Sequence, residues 1–189
     1  MKRLEMKTEE IAVPTSMGTV TVLMSPSSGK GRTPVITEIR LPRKGRGGAG
    51  RSAPSGTSRK GGSPVPWLAA LEDLLRDGKA TFPLDALDWG ACTPFQEKVL
   101  RELARVPLGK VISYGALARR AGVPRAARAV GAVMAWNPFP LVLPCHRVVR
   151  SSGETGRYGG GEAMKRALLK REGVRIDGAG RVDPAHRIE

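Results

Sequence analysis

Between Thr93 and Met134 the sequence writes three short helices in quick succession, and this segment constrains the fold more than any other. Thr93-Pro94-Phe95-Gln96 has the form of a capping box, with proline at the first helical position and glutamine at the third. Phe95, Val99 and Leu103 share one face of the helix that follows, and Pro107 stops it. Ser113 is placed to cap a second helix through Ala121, with Leu117 toward the core. Gly122 then makes a turn, and Pro124 opens a third helix through Met134, on which Ala127, Val130, Val133 and Met134 can face inward. The pattern is a helix–turn–helix. Such units serve as DNA readers and also as plain scaffolding, so the pattern alone does not choose between them.

The remainder of the chain supplies strands and one stretch that cannot pack. Thr19–Met24 and Val35–Leu41 are rich in β-branched residues and read as a hairpin joined by PSSGKGRTP. Residues 43–64, from Arg43 to Pro64, are Gly, Ser, Arg and Lys with no acid and almost nothing to bury, the composition of a mobile loop. Ser63 is then expected to open a helix carrying Trp67, Leu68, Leu71, Leu74 and Leu75, ended by Gly78. FPLDALDWGAC reads as a linker. Near the other end, a helix from Glu162 to Glu172 stops at Gly173, and VRIDGAGRV reads as a small hairpin. The expected class is α+β. A small N-terminal sheet-and-helix domain, 1–90, precedes a helix–turn–helix, winged-helix-like catalytic domain, 91–189.

Charge narrows the partner. The 189 residues carry a net charge of +15. From Leu103 to Gly153 there is neither Asp nor Glu, while Arg105, Lys110, Arg119, Arg120, Arg125, Arg128, Arg147 and Arg150 all fall there. Phosphate neutralisation explains such a bias, and nucleic acid is the expected partner. The first residues are charged and lack the apolar run of a secretory signal, and no stretch approaches the ~18 apolar residues of a membrane span. Two cysteines make no disulfide framework, which suits a reduced, intracellular setting. Cys92, Cys145, His146 and His186 lack zinc-ligand spacing, so no metal is expected.

One stretch raises a question of chemistry. FPLVLPCHRVVRSSG, Phe139 to Gly153, sets Cys145 directly before His146. A lone cysteine in an apolar run is ordinarily inert core, whereas an imidazole close by favours the reactive thiolate. On a strand the two side chains would point to opposite faces, so communication would need a turn or a bridging water. The residues alone leave both readings open.

PCHRVV, preceded by NPFPLVLP and followed by SSGETGRYGGGEAMKRALLKREG, closely resembles the active-site region of the O6-alkylguanine-DNA alkyltransferases. PFQEKVLRELARVPLGKVISYGALARRAGVPRAARAVGAVM resembles the segment leading into it. The likeness runs from about Thr93 to Val174. It implies a single-turnover methyltransferase that flips an alkylated guanine out of duplex DNA and moves the alkyl group from O6 to its own cysteine. By position, Cys145 is the nucleophile, His146 deprotonates it through a water, and Glu172 holds the imidazole in the required tautomer. Tyr114 lies near the flipped base and gives a proton to the leaving guanine. Arg128 fills the vacancy in the stack, and Arg125, Ala127, Ala129 and Gly131 lie with it on the DNA-binding helix. Asn137 braces the turn beneath the site. Val148, Tyr158, Gly159 and Gly160 line the guanine pocket. The implied partner is double-stranded DNA containing O6-alkylguanine, bound by a monomer without cofactor, metal or membrane, in the cytoplasm or, in a eukaryote, the nucleus.

Departures from the family pattern are also legible. Some members carry serine where Gly159 stands, which leaves only a backbone donor here. Some bind zinc in the N-terminal region, but this chain has no Cys or His before Cys92. The insertion has no counterpart, Trp136 before Asn137 is unexpected and reads as packing, and Cys92 reads as structural. Two rival classes make different predictions. A lesion-binding relative without chemistry would lack the nucleophile, and a Cys-His hydrolase would turn over repeatedly and need no basic face.

Overall fold

The computed structural model describes residues 8–25, 33–42, 58–59, 65–78 and 81–189. Strands β1 (Glu9–Thr15) and β2 (Gly18–Met24) form an antiparallel hairpin in which Thr15 faces Gly18. The turn needs Gly18, whose φ is +113° and where a Cβ would come within 2.9 Å of Pro42. On β2, Val20, Val22 and Met24 are buried in alternation, as the period of a half-buried strand requires. The expected hairpin forms between β2 and β3 (Ile36–Arg40). β1 went unread in the sequence, because Glu9, Glu10 and Pro14 break up its apolar residues.

The loop expected over residues 43–64 needs a correction. Its residues Ser58–Arg59 form β4, which pairs with β1 and completes the order β3-β2-β1-β4. Backbone pairing asks nothing of the side chains, so a composition with nothing to bury can still supply an edge strand. Helix α1 (Leu68–Asp77) buries Leu71 and Leu75 and closes on Gly78 at φ +75°. The start expected at Ser63 lies outside the described residues; the helix begins after Trp67, which gives no side-chain cap. Trp67 is instead an anchor, buried, with its indole N–H donating to the Pro34 carbonyl at 2.7 Å.

The helical segment forms largely as read. In α2 (Pro94–Ala104) the capping box is complete: Gln96 N–H donates to Thr93 Oγ1, and Thr93 N–H to Gln96 Oε1 at 2.8 Å. Ser113 caps α3 (Tyr114–Arg120) through a bond from Ala116 N–H. The third helix departs from expectation. Pro124 does not open it; Ala126 N–H closes a turn onto the Val123 carbonyl, and α4 runs Ala127–Trp136. Helix α5 (Glu162–Arg171) ends one residue earlier than expected, with Glu172 as its C-cap. A small sheet of parallel pairs sets β5 (Val111–Ser113) between β6 (Val148–Val149) and β7 (Arg187–Ile188). The hairpin expected within Val174–Val182 is reduced to one antiparallel bridge, Ile176–Val182.

The two halves share a core. Ile11, Val22 and Leu71 belong to one buried cluster with Leu100, Leu117, Phe139 and Leu143. A backbone bond from Ile39 N–H to the Pro138 carbonyl, 2.7 Å, ties β3 to the segment that leads to Cys145. Phe139 is fully buried and meets Trp89 edge to face. Phe139→Ala should therefore cost about 3–5 kcal/mol of stability. Urea unfolding followed by both circular dichroism and tryptophan fluorescence should give one coincident, lowered transition; separate transitions would show halves that unfold independently.

Candidate active site and DNA-binding face

The segment Asn137–Val149 is folded back on itself by one side chain. Asn137 donates from Nδ2 to the Leu143 carbonyl, 2.9 Å, and accepts the Phe139 N–H on Oδ1, 3.0 Å. This clamp holds a turn in which Leu141 takes a φ of +76°, a conformation that costs a branched residue on the order of 1–3 kcal/mol. After Pro144 the chain makes a 3-10 turn, Cys145–Arg147. The sequence argument that Cys145 and His146 sit on opposite faces of a strand is thus replaced. Both are buried in one tight turn, and β6 begins only after it.

His146 is anchored from one side and open on the other. Its Nε2 lies 2.7 Å from Glu172 Oε1, and its buried Nδ1 has no partner among the described residues. A carboxylate on Nε2 fixes the proton there and leaves a lone pair on Nδ1. Burial pulls the imidazole below its ordinary value, outweighing Glu172, which favours the charged ring. Burial would raise the Glu172 carboxyl, but hydrogen bonds from His146 and Arg147 prevail and hold it at about 2. Burial also pushes the Cys145 thiol up, against the Asn137 side chain and the Lys165 ammonium, so the sulfur rests protonated and needs a base.

Two buried cationic side chains of the site escaped the sequence reading. Arg147 donates from Nε and Nη2 to the two oxygens of Glu172, at 2.8 and 2.9 Å, and from Nη1 to the Val106 carbonyl, 2.6 Å. Lys165 is fully buried, with Nζ donating to the Val148 carbonyl at 2.6 Å and burial lowering it to about 8. The signal for Lys165 was present: with Leu168, Leu169 and Glu172 it occupies the i, i+3, i+4, i+7 stripe of α5.

Cys145 opens onto a cavity of about 390 Å³ lined by Tyr114, Gly131, Met134, Ala135, Arg157, Tyr158 and Gly159. This volume falls in the range of small-molecule sites. A larger cavity, about 480 Å³, is lined mainly by apolar residues such as Leu74, Phe82 and Val106 and holds no nucleophile. Of the residues expected around guanine, Tyr114, Tyr158 and Gly159 line the Cys145 cavity, and two do not. Val148 is fully buried in β6, where its carbonyl is occupied by Lys165. Gly160 sits under Met164, whose Sδ would lie 2.2 Å from an added Cβ. Gly159 faces open space, so a side chain there would enter without a clash.

The stretch without acids is not free of acids in space. Glu102, Glu154, Glu172 and Glu189 come from outside it and pair with Arg105, Arg150, Arg147 and Arg119. Lys110 and Arg120 donate to backbone carbonyls of Ala185 and Glu189. Arg125, which precedes α4 and so does not lie on the helix as expected, and Arg128, its second residue, are exposed and have no ion pair among the described residues. Beside them Ala127 is half-buried and Ala129 exposed, while Gly131 stands over the Tyr114 ring.

Residues 94–174 match the family model described as 6-O-methylguanine DNA methyltransferase, DNA binding domain. A methylated-DNA--protein-cysteine methyltransferase of Methanothermobacter thermautotrophicus is 42% identical over 120 residues, 61% of this chain and 67% of that protein. The chain belongs to this methyltransferase family. The mouse protein of the same name is 46% identical over 122 residues, 60% of this chain and 58% of the mouse protein. A solved structure of Mycobacterium tuberculosis OGT in complex with DNA superimposes with a TM-score of 0.62 at 32% identity, covering 86% of this chain and 91% of that one. The match to methyltransferases of mixed helix and sheet accounts for the architecture. Among the described residues no helix is long and apolar enough to cross a membrane, and no cluster of His, Cys, Asp and Glu could hold a metal ion.

The carboxylate of Glu172 links the site to stability. Its folded value, about 2, lies below the ordinary 4.5, so its contribution is fully present above about pH 4.5 and lost as pH falls toward 2. Stability measured by urea unfolding should fall across that window. Glu172→Gln should be less stable than the native chain at pH 6, and the gap should close at low pH; a constant gap would contradict the ion cluster.

Proposed function

We propose that this protein repairs duplex DNA by moving the alkyl group of O6-alkylguanine, chiefly O6-methylguanine, irreversibly onto Cys145. The observation that carries the reading is Cys145 in the lining of a cavity of about 390 Å³, followed in the same 3-10 turn by a histidine whose Nδ1 has no partner among the described residues. Residues 91–189 act as the winged-helix-like catalytic domain, and residues 1–90 support it.

The thiol proton passes through a water to Nδ1 of His146, while Glu172 holds Nε2–H. The thiolate attacks the alkyl carbon, a C–S bond forms, and the C–O6 bond breaks with its electrons going to guanine. Tyr114, on the cavity wall, supplies the proton the departing guanine needs; burial keeps its hydroxyl protonated. A thioether does not hydrolyse under mild conditions, so the protein reacts once. Arg128 enters the stack vacated by the flipped nucleotide, and Arg125 meets phosphate. Ala127, Ala129 and Gly131 keep the side chains of that helix small where it approaches the groove. Asn137 holds the turn that aims Cys145. A monomer acting on DNA suffices for each of these steps.

With excess duplex carrying a labelled O6-methyl group, transfer should stop at one methyl per protein. Continued turnover, or no transfer, would overturn the reading. Arg128→Ala should slow repair in duplex by about tenfold or more while sparing reaction with the free O6-alkylated base, because only the duplex leaves a vacancy to fill. Equal losses on both substrates would assign Arg128 a structural role. Affinity for undamaged duplex should fall with salt, and the Leu103–Gly153 stretch should contribute a slope well short of eight phosphate contacts, because Arg105, Lys110, Arg119, Arg120, Arg147 and Arg150 are already bonded within the protein.

A further inference from the structure

We propose that Arg147 is a positioning residue for the transfer: it fixes and neutralises Glu172, so that His146 rests uncharged and able to take the thiol proton. The inference rests on the alkyl-transfer reading above, but its physical content concerns His146 alone. Arg147 spans two distant elements. One end is fixed to the Val106 carbonyl just past α2, and the other grips both oxygens of Glu172 at the end of α5. The carboxylate is 3% exposed, and the guanidinium side chain 11%. In that setting the Coulomb attraction between charges is little screened, and a fixed two-point grip is worth more than a surface pair.

The groups around His146 define what Arg147 must do. Glu172 lies on Nε2, Cys145 and Arg147 flank the ring in the same turn, Lys165 approaches from α5, and Tyr158 packs edge-on with ring centroids 6.3 Å apart. Lys165 is committed to the Val148 and Arg157 carbonyls and gives Glu172 no hydrogen bond. With Arg147 present, Glu172 already has a full positive partner, and a second one on His146 would be in excess. Without it, the buried carboxylate would draw a proton onto the imidazole to pair its charge. An imidazolium has no lone pair on Nδ1 and cannot accept the thiol proton. Arg147 thus leaves Glu172 able to orient the ring without charging it.

The test uses the full chain with labelled histidine, since His146 and His186 are its two histidines and their NMR signals separate readily. Arg147→Met removes the charge and keeps an aliphatic stem; Arg147→Lys keeps a charge. In Arg147→Met, His146 should titrate at least about one pH unit higher than in the native chain, a tenfold change in proton affinity. The rate of Cys145 alkylation by iodoacetamide, which needs no DNA, should drop at neutral pH and recover as pH rises. Arg147→Lys should keep His146 close to its native titration. An unmoved histidine in Arg147→Met, or an equal shift in both variants, would overturn the proposal. Should Arg147→Met fail to fold, Arg147→Lys decides: a His146 titrating well above the native value contradicts it, and a native-like one supports it. Failure of the function reading would appear separately, as native protein that accepts no methyl from O6-methylguanine.

Discussion

One buried carboxylate organises the active half of this molecule. Glu172 closes α5, and its two oxygens receive His146 and Arg147, neighbours in the 3-10 turn that begins at Cys145. Through Arg147 the same cluster reaches the end of α2. Removing water from so many charges is costly, and the cost is offset only because each donor and acceptor of the cluster is matched. The exception, among the described residues, is Nδ1 of His146, the atom that the proposed transfer uses as its base. A buried polar atom without a partner is ordinarily a defect. In the proposed transfer it is the base that takes the thiol proton.

Around this cluster the structure divides labour between rigidity and access. Asn137 and the Leu143 carbonyl hold the approach to Cys145, and Lys165 holds β6 behind it through the Val148 carbonyl. The cavity above is walled by Tyr114 of α3 and by Met134 and Ala135 of α4, the helix that starts beside Arg125 and Arg128. One helix therefore serves both the cavity and the exposed cationic end. Arg128 thus shares its helix with Met134 and Ala135 of the cavity wall. The exposed, mostly small side chains of α4 fit a surface that approaches DNA without reading its sequence.

Much of this was legible in the sequence where the signal was local. The capping box at Thr93, the Ser113 cap and the hairpin of β2 and β3 are short-range patterns, and the structure contains each. The resemblance carried by PCHRVV put Cys145, His146 and Glu172 in one site, and the geometry brings the histidine and the glutamate into contact. What was missed depends on partners outside the stretch being read, next to it as Glu102 and Glu154 are or far along the chain as Glu172 and Glu189 are. The stretch free of acids looked like one cationic face, yet Glu102, Glu154, Glu172 and Glu189 fold onto it. β4 and β7 are two-residue strands held by backbone pairing, which leaves no periodicity to read. The bond from Lys165 to the Val148 carbonyl joins residues 17 apart and leaves no local signature.

The central claim is that the buried thiol of Cys145, served by a histidine whose charge is held off by its surroundings, is the acceptor. The most direct measurement is the mass of its peptide after one round of reaction with duplex DNA containing O6-methylguanine. The account predicts a single added methyl group on the peptide bearing Cys145, none on the peptide bearing Cys92, and none on either in Cys145→Ser. A methyl group on Cys92, or modification that persists in Cys145→Ser, would contradict it.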